Sequence, residues 1–427
     1  MHPIHDHSYA HPLPEQADHV KFAEAPSRWD DSKIGTARRL IKAFKATEAL
    51  PDTELKVITD NDLWTGITRD NFGQMIAYIK DDDAEQLARF LHDFGSGYVW
   101  FGGISTGVDG YNHWNRDQSA IALSYYDRLI CLAEGLGVLP AENPEQGTSG
   151  NWGKNMMVPP DDVAAAIEER LGIRICPPPG IIPVAGIQLR DRILHYRHIN
   201  ALYTASRVAS LVGKDAAICE FGGGLGLIAY FLREMGYQNY TLFDIPITNV
   251  LSSWFLIGAL GENAVSLEGE EMRPNTIKVR ANWMCASSQD KQFALTLNQD
   301  SFPEINRRIF DAYVWEIQRT TSRYFLSINH EVEHPIDGAT QHLNVSKLLA
   351  SNSNFSRLYR APYWVRRGYV EELYRLDQPE HELNKQRYEV EVRQAQIEHL
   401  EASISALKAS TSWRLTAPIR AMRRIFQ

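Results

Sequence analysis

The chain has 427 residues, of which 44% are hydrophobic and 23% are charged. This is the composition of an ordinary globular protein, and it excludes collagen-like, disulfide-scaffold and wholly disordered chains. The 44 basic and 53 acidic side chains give a net charge of −9. That balance argues against a nucleic-acid partner, because such proteins present a basic face. Four scattered cysteines without a CxxC pair suit a reducing compartment.

The N-terminal part is predicted to form a tail followed by a helical domain. Histidines and prolines crowd residues 1–26, which predicts a disordered tail without a secretory signal. Residues 27–180 carry amphipathic stretches at Ala84–Phe94 and Ala120–Leu136, and we expect a mainly helical domain that forms a lid and acceptor site. The run Pro177–Gly180 ends this domain, because neither a helix nor a central strand accommodates it.

Residues 181–378 alternate strand and helix signals. The helix expected last in this series spans Pro303–Trp315. Apolar strands are predicted near 216–222, 240–246, 276–281, 293–298 and 324–329. This alternation predicts an α/β fold, a Rossmann-like domain whose parallel-rich, doubly wound sheet is covered by helices on both faces.

Residues 379–427 are predicted to be helical. Four apolar side chains recur every seven residues, which predicts a coiled coil and a homo-oligomer, with a single packed helix as the alternative: Leu383, Val390, Ile397 and Ile404. From Ala402 onward the chain is basic and amphipathic, which indicates peripheral contact with an anionic membrane surface or a solvated helix. The longest apolar run, Val250–Leu260, has about half of the ~20 residues that a membrane span needs. We expect a cytoplasmic protein, and peripheral attachment at the inner face of the membrane is an open alternative.

The chemistry is indicated by a glycine-rich loop between the first strand and its helix. Glu220 precedes four glycines of this loop: Gly222, Gly223, Gly224 and Gly226. Asp244 ends the second strand, where its carboxylate can accept hydrogen bonds from a ribose diol. A dinucleotide-binding loop requires a third glycine at position 227, which is leucine. The E-x-G-x-G-x-G spacing is instead typical of class I S-adenosylmethionine methyltransferases. Glu220 suits a cofactor that carries an ammonium and a sulfonium.

S-adenosylmethionine is therefore the predicted cofactor, and a tight turn without a ligand is the alternative. Three further residues are predicted to contact it. Ile245 follows the ribose-binding Asp244, Trp283 borders the adenine, and Asn298 ends the fourth strand.

Four segments resemble the sugar O-methyltransferase family of bacterial glycan and glycosylated-antibiotic pathways. They are LFDIP (Leu242–Pro246), NQDSFPEI (Asn298–Ile305), YFLSIN (Tyr324–Asn329) and HYRHINALY (His195–Tyr203), within a resemblance that covers roughly Leu63 to Leu376. Ile305 stands where methionine is usual in the family. The resemblance implies methyl transfer to a sugar hydroxyl. The C-terminal TSWRLTAPIRAMRR separately resembles tails of proteins that build bacterial surface polysaccharides.

Catalytic groups are expected beyond the carboxyl ends of the strands. His330 is the first candidate for the general base, because its ordinary pKa lies near working pH. Asp300 is the rival base, with a helix N-cap as its alternative role. Glu304 is a third candidate and can bind sugar hydroxyls, or it can favour the first turn of the same helix. For His330 the alternative is an ordinary surface histidine.

The acceptor is predicted to contact six residues: Ser301, Asn329, Tyr196, Arg197, Asn151 and Trp114. His330 and His334 are spaced for a divalent metal, but Pro335 disfavours the helix that this would need, so no metal is predicted and metal dependence stays open. Two other functions remain alternatives. One is O-methylation of a phenolic or polyketide hydroxyl, and the other is a non-catalytic scaffold in polysaccharide assembly.

Overall fold

The computed structural model describes residues 9–14, 17–51, 53, 55–56, 63–96, 104–107, 117–145, 150–333, 335–337 and 340–376. The chain divides into two compact units, 1–376 and 377–427. The predicted coiled coil and basic tail of the second unit lie outside the described residues.

The first unit is built around an eight-stranded sheet with the order β12-β13-β9-β8-β4-β5-β7-β6. The strands from β9 to β6 in this order are parallel, while β13 runs antiparallel to both β9 and β12. The strands of this sheet are β4 (Ile218–Phe221), β5 (Tyr240–Asp244), β6 (Val265–Leu267), β7 (Ile277–Ala281), β8 (Phe293–Gln299), β9 (Thr321–His330), β12 (Ser356–Pro362) and β13 (Tyr369–Arg375). This order confirms the predicted Rossmann-like α/β fold.

The described helices lie along the sheet and in the N-terminal region, where α1 to α5 fall within the segment predicted to be helical. Their bounds are α1 (Ser32–Glu48), α2 (Leu63–Lys80), α3 (Ala84–His92), α4 (Gln118–Gly135), α5 (Pro160–Leu171), α6 (Tyr196–Leu211), α7 (Leu227–Glu234), α8 (Pro246–Leu260), α9 (Arg307–Thr320) and α10 (Val345–Ala350). Local chemistry sets several ends. Asp117 caps α4 by accepting from the Ala120 N–H, and Pro246 takes the first position of α8.

Strand side chains alternate between two hydrophobic cores, one on each face of the sheet. In β4, Ile218 belongs to the core that also contains α6, α7 and α8. Cys219 and Phe221 belong to the other core, which is built on α9 and α10 and is rich in aromatic rings. The sheet is therefore buried on both faces, which explains why its central strands are nearly continuous apolar runs.

Two predicted boundaries were wrong. Residues 9–14 and 17–26 pack on the fold instead of forming a disordered tail, and His11 is only 6% exposed. The first strand, β1 (Phe22–Ala25), pairs with β2 (Val184–Gln188), which also pairs with β3 (Ile193–Leu194). This small antiparallel sheet crosses the boundary placed at residue 180, so residues 1–376 form one unit. Composition alone could not reveal a partner strand more than 150 residues away.

The remaining short strands, β10 (Pro335–Asp337) and β11 (Thr340–Gln341), form a small hairpin after β9. Among the described residues, every helix is too short or too polar to cross a membrane.

Glu371 of β13, next to the edge strand, links the sheet to α6, and its removal should destabilise the fold. This carboxylate is 2% exposed. It accepts hydrogen bonds from the Tyr203 hydroxyl at 2.8 Å and from Arg207 Nε at 2.8 Å. Glu371→Ala leaves the partly exposed arginine and the Tyr203 hydroxyl without this acceptor, and we expect the free energy of unfolding in urea to fall by about 1.5–3 kcal/mol.

The matched control is Arg307→Ala, which removes the exposed pair with Asp311. That change should cost no more than about 1 kcal/mol. If Glu371→Ala costs as little as the control, the buried ion pair does not hold β13 on α6.

Candidate functional site

The candidate site lies at the point where the strand order reverses. From β4 the chain builds the sheet outward through β5 and β7, and then returns to place β8 and β9 on the other side. Open α/β sheets bind their ligands outside the carboxyl ends of the strands at such a switch point. Phe221, the last residue of β4, pairs with both Phe243 and Asn298. The loops after β4, β5 and β8 therefore meet there.

The loop after β4 needs glycine at specific positions. Gly222, Gly224 and Gly226 have φ of +70°, +57° and +81°, a backbone conformation that side chains disfavour. A Cβ on Gly222 would lie 2.0 Å from Ser301 Oγ, and a Cβ on Gly223 would lie 2.8 Å from a Glu220 carboxylate oxygen. The predicted glycine spacing thus reflects both backbone conformation and close packing.

Glu220 lies beneath this loop. Its carboxyl is 2% exposed and accepts a hydrogen bond from the Tyr240 hydroxyl at 2.6 Å. Burial raises the pKa of Glu220 to about 8, although the Tyr240 hydrogen bond opposes the shift. The Glu220 carboxyl therefore packs directly against Gly223.

Asp244 ties the end of β5 to the loop. Its carboxylate accepts from the Gly224 N–H at 3.0 Å and from the Ile245 N–H at 2.8 Å. Burial raises the pKa of Asp244 to about 7, while these two hydrogen bonds oppose the shift. Nearby, the buried Thr248 Oγ1 has no hydrogen-bond partner among the described residues. Orphaned buried hydroxyls are rare, so this one fits a polar group of a bound ligand.

These groups line one cleft together with aromatic and aliphatic side chains from several elements. Its described lining residues are Trp64, Ile104, Gly222, Gly224, Phe243, Asp244, Ile245, Thr248, Ser301, Ile305, Ile309 and Tyr313. Trp64 comes from α2, so the N-terminal helical region contributes a side chain to the cleft.

Asn298 joins the strand ends beneath the cleft. Its Nδ2 donates to the Phe221 carbonyl at 2.9 Å and to Ser301 Oγ at 2.5 Å, and its Oδ1 accepts from Asn329 Nδ2 at 2.9 Å. Both asparagines are buried. The second amide, Asn329, keeps an Oδ1 without a partner among the described residues. The structure therefore places Asn298 and Asn329 under the site as connectors of β4, β8 and β9.

A second, polar cluster adjoins the cleft at Asp300. This residue has φ +69°, and its carboxylate pairs with Arg366 Nη1 at 3.1 Å. The Arg366 guanidinium also lies over the Tyr369 ring at 3.9 Å. Despite burial, Asp300 and neighbouring tyrosines raise the pKa of Arg366 above its usual value. The cluster presents a fixed cation, a carboxylate and an aromatic face side by side.

Glu304 belongs to the same cluster. It lies in a 3-10 turn, Phe302–Glu304, and accepts from Trp64 Nε1 at 3.1 Å. Burial and the nearby Asp300 raise the pKa of Glu304 to about 8, so its carboxyl is mainly protonated at pH 7. Two alternative roles predicted from the sequence were wrong: Asp300 does not cap the next helix, and Glu304 is not in the first turn of that helix. The helix begins at Arg307, and Asn306 caps it by accepting from a backbone N–H.

His330 ends β9 beside this cluster. Its ring lies 4.9 Å from that of His342 and 5.7 Å from that of Tyr369. Burial, His342 and Arg366 lower the pKa of His330, while Asp300 opposes the shift. The Val332 N–H donates to His330 Nδ1 at 3.3 Å. In that arrangement the neutral ring carries its proton on Nε2.

Tyr196 and Arg197 lie at the start of α6. The Arg197 guanidinium stacks on the Tyr196 ring at 4.9 Å, and its Nε donates to the Ser105 carbonyl at 3.1 Å. Both residues act electrostatically on the polar cluster: Arg197 partly opposes the rise that burial causes in the pKa of Glu304, and Tyr196 adds to the effect of Asp300, which outweighs burial and raises the pKa of Arg366. The cluster therefore extends from β8 to α6.

The other predicted residues lie elsewhere. Asn151 uses its amide within its own loop, accepting from the Asn143 N–H and donating to the Ala141 carbonyl. Trp283 is 5% exposed in the aromatic core, with Lys56 over its ring. Trp114 and His334 lie outside the described residues.

Sequence reasoning missed Trp64, Thr248, Arg366 and Tyr369. The stretch YWVRRGY (Tyr363–Tyr369), with aromatic and basic residues before a strand, was the available signal for two of them. No local motif marks Trp64 or Thr248, because their proximity to the site arises from helix packing.

Several of the solved structures that resemble this chain are methyltransferases, at low similarity. No model of a protein family and no curated protein sequence matches the chain. The 1,6-didemethyltoxoflavin-N1-methyltransferase of Burkholderia thailandensis, with bound S-adenosylhomocysteine, is 15% identical, with 42% of this chain and 79% of that chain covered and a TM-score of 0.31.

Two further matches are of the same kind. The magnesium protoporphyrin IX methyltransferase of Synechocystis PCC 6803 is 13% identical, with 43% of this chain and 90% of that chain covered and a TM-score of 0.30. A mitomycin 7-O-methyltransferase is 14% identical, with 42% of this chain and 57% of that chain covered and a TM-score of 0.29.

The raised pKa of Glu220 predicts a pH-dependent stability. Between the unfolded-state pKa, about 4.3, and the folded-state pKa of about 8, the folded protein holds the extra proton. The stability that Glu220 contributes is therefore complete at acidic pH and is lost as the pH rises. Relative to Glu220→Gln, the wild-type free energy of unfolding should fall by about 1.4 kcal/mol per pH unit between pH 5 and 7, and less steeply as the pH approaches 8.

Urea denaturation at four pH values in this range measures the difference. Glu169→Gln, at an exposed position, controls for the substitution itself. A wild-type advantage over Glu220→Gln that stays constant from pH 5 to 8 would show that the buried carboxyl is already ionised.

Proposed function

We propose that the chain is an S-adenosylmethionine-dependent O-methyltransferase. The observation that carries the proposal is the convergence of the positive-φ glycine loop, the Asp244 carboxylate and the unpartnered Thr248 hydroxyl in one cleft. When bound, the cofactor supplies an electrophilic methyl group on a good leaving group. The protein must hold that cofactor, align the acceptor hydroxyl and take up its proton.

The charge of the cleft favours this cofactor over a dinucleotide. A pyrophosphate needs donors and positive charge. Among the described residues that line the cleft there is no lysine or arginine, while Asp244 lines it and offers carboxyl oxygens as hydrogen-bond acceptors. Gly222 and Gly224 would let the cofactor approach the backbone, and Asp244 and Thr248 would hold its ribose hydroxyls.

The neighbouring polar cluster supports a sugar as acceptor. Asp300, protonated Glu304 and Arg366 offer acceptors and donors for several hydroxyl groups. Tyr196 and Tyr369 offer aromatic faces of the kind that pack on sugar C–H groups. A phenolic acceptor would be served better by an apolar slot than by an ion pair.

Asp300 is the better candidate for the base. Asp300 directly precedes Ser301 in the chain, and Ser301 lines the cleft. The only basic nitrogen of neutral His330 accepts from the Val332 N–H. Glu304 holds its proton at neutral pH. Arg366 would keep Asp300 oriented and would stabilise the negative charge of the acceptor as its proton leaves.

The glycine loop offers a matched pair of variants that tests cofactor binding. Gly224 and Gly172 both have positive φ, and a Cβ on either would meet open space. Gly224 lines the cleft, whereas Gly172 lies at the C-terminal end of α5, outside the cleft. Each leucine substitution should cost about 1–2 kcal/mol of stability from the strained backbone. By calorimetric titration, Gly224→Leu should weaken S-adenosylmethionine binding at least tenfold, and Gly172→Leu should not.

Equal affinities of the two variants would contradict the location of the site. Absence of binding to the folded wild-type chain would contradict the enzyme and leave the assembly scaffold as the better account.

The base is tested by transfer of a tritiated methyl group to a panel of sugars and phenols. With the best acceptor, Asp300→Asn should lower kcat by about 10²- to 10⁴-fold. His330→Gln should lower it less than tenfold, and both variants should keep the wild-type affinity for S-adenosylhomocysteine.

The reverse ranking of the two variants would assign the base to His330. A phenol methylated in preference to every sugar would overturn the proposed acceptor class while leaving the cofactor site standing.

A further inference from the structure

A buried cluster of metal-ligating side chains lies on α4, among residues that the proposed function does not use. Asp127, Cys131 and Glu134 are four and three residues apart, which places them on one face of the helix. The N-terminal segment brings His11 against this face, and the Ala10 and His11 backbone N–H groups donate to the Asp127 carboxylate at 2.9 Å. Four groups that bind transition metals thus meet in one place.

We propose that His11, Asp127 and Cys131 bind one zinc ion. One ligand atom from each of these side chains lies within 4.8 Å of the other two, and the three residues are 5–6% exposed. Zinc holds nitrogen, oxygen and sulfur ligands at about 2.0–2.3 Å, which separates tetrahedral neighbours by roughly 3.3–3.8 Å. His11 Nδ1 and Asp127 Oδ1, now 2.8 Å apart, would separate by less than about 1 Å to admit the ion.

The fourth member of the cluster, Glu134, lies in the position of a hydrogen-bond partner for a metal-bound histidine. His11 Nε2 lies 3.0 Å from Glu134 Oε1, which also accepts from Asn155 Nδ2 at 2.7 Å. A histidine ligand almost always donates its second ring N–H to a carboxylate or carbonyl, which fixes the tautomer and orients the ring. With the proton on Nε2, the Nδ1 lone pair is directed at Asp127 and is available to the ion.

Zinc binding would replace the protons held by the ligand side chains with metal–ligand bonds that join the N-terminal segment to α4. The Cys131 thiol and the Nδ1 of the protonated His11 ring each lose a proton to solvent as the sulfur–zinc and nitrogen–zinc bonds form, so binding releases two protons. The ion would fasten the N-terminal segment to α4, whose Tyr125 ring packs at 5.0 Å on that of Tyr196. The role is structural and independent of the cofactor site.

The test uses the full chain, purified in zinc-containing buffer and dialysed against a weak chelator. Elemental analysis should give one zinc per chain, and His11→Asn and Cys131→Ser should lose it. Replacing His2, His5 and His7 together with Asn controls for metal held by other N-terminal histidines and should leave the content at one. Far-ultraviolet circular dichroism checks that each variant is folded, and Asp127→Asn supplies an independent ligand variant if either fails.

Cobalt substitution supplies a spectroscopic signature. A thiolate-to-cobalt charge-transfer band should appear in the wild type and be absent from Cys131→Ser. Two results would overturn the proposal: a dialysed wild-type chain without stoichiometric metal, or zinc retained by Cys131→Ser. The first would leave His11 as a protonated imidazole held between two carboxylates.

Discussion

The site depends on one buried amide. Asn298 donates to the backbone carbonyl that ends β4 and accepts from Asn329 in β9. It therefore fixes three strand ends relative to one another where water is excluded. A buried amide without partners costs about 1–3 kcal/mol, so this network is stable only when the strands keep this register. The glycine loop, Ser301 and the Asp300 turn all start from these fixed ends.

Two environments follow from that arrangement. The first is the cleft. Asp244 lies at its floor, Glu220 lies beneath the floor, and its walls are apolar. The second is a half-buried ion pair between Asp300 and Arg366, flanked by aromatic rings. Only the first suits a cofactor with a large apolar adenine and two cationic centres, and the second suits a polar acceptor. The α2 helix spans both, because Trp64 lines the cleft and donates to Glu304.

The sequence predicted the parts of this site that are local. Glu220, the loop glycines and Asp244 are adjacent to strands whose apolar runs are unmistakable, and the structure brings them together. Roles inside the site were harder to predict, because burial and partners decide them. Asn298 shares a motif with Ser301 but connects strands beneath the cleft, and the α9 cap proved to be Asn306. Arg366 is 66 residues from Asp300, and a single sequence carries no sign of that pairing.

The N-terminal segment shows the same limit. The sequence predicts that His11 belongs to a disordered polar tail. In the structure, Asp127 and Glu134 on α4 offset the cost of burying the His11 ring. The predicted coiled coil, the basic tail and the cytoplasmic address stay predictions.

Hydrogen–deuterium exchange of the full chain, with and without S-adenosylhomocysteine, tests the central claim most directly. If the switch-point cleft holds the cofactor, new protection will concentrate in peptides that cover 220–227 and 243–249. Protection centred on other parts of the chain, or an unchanged exchange pattern at saturating ligand, would contradict the account.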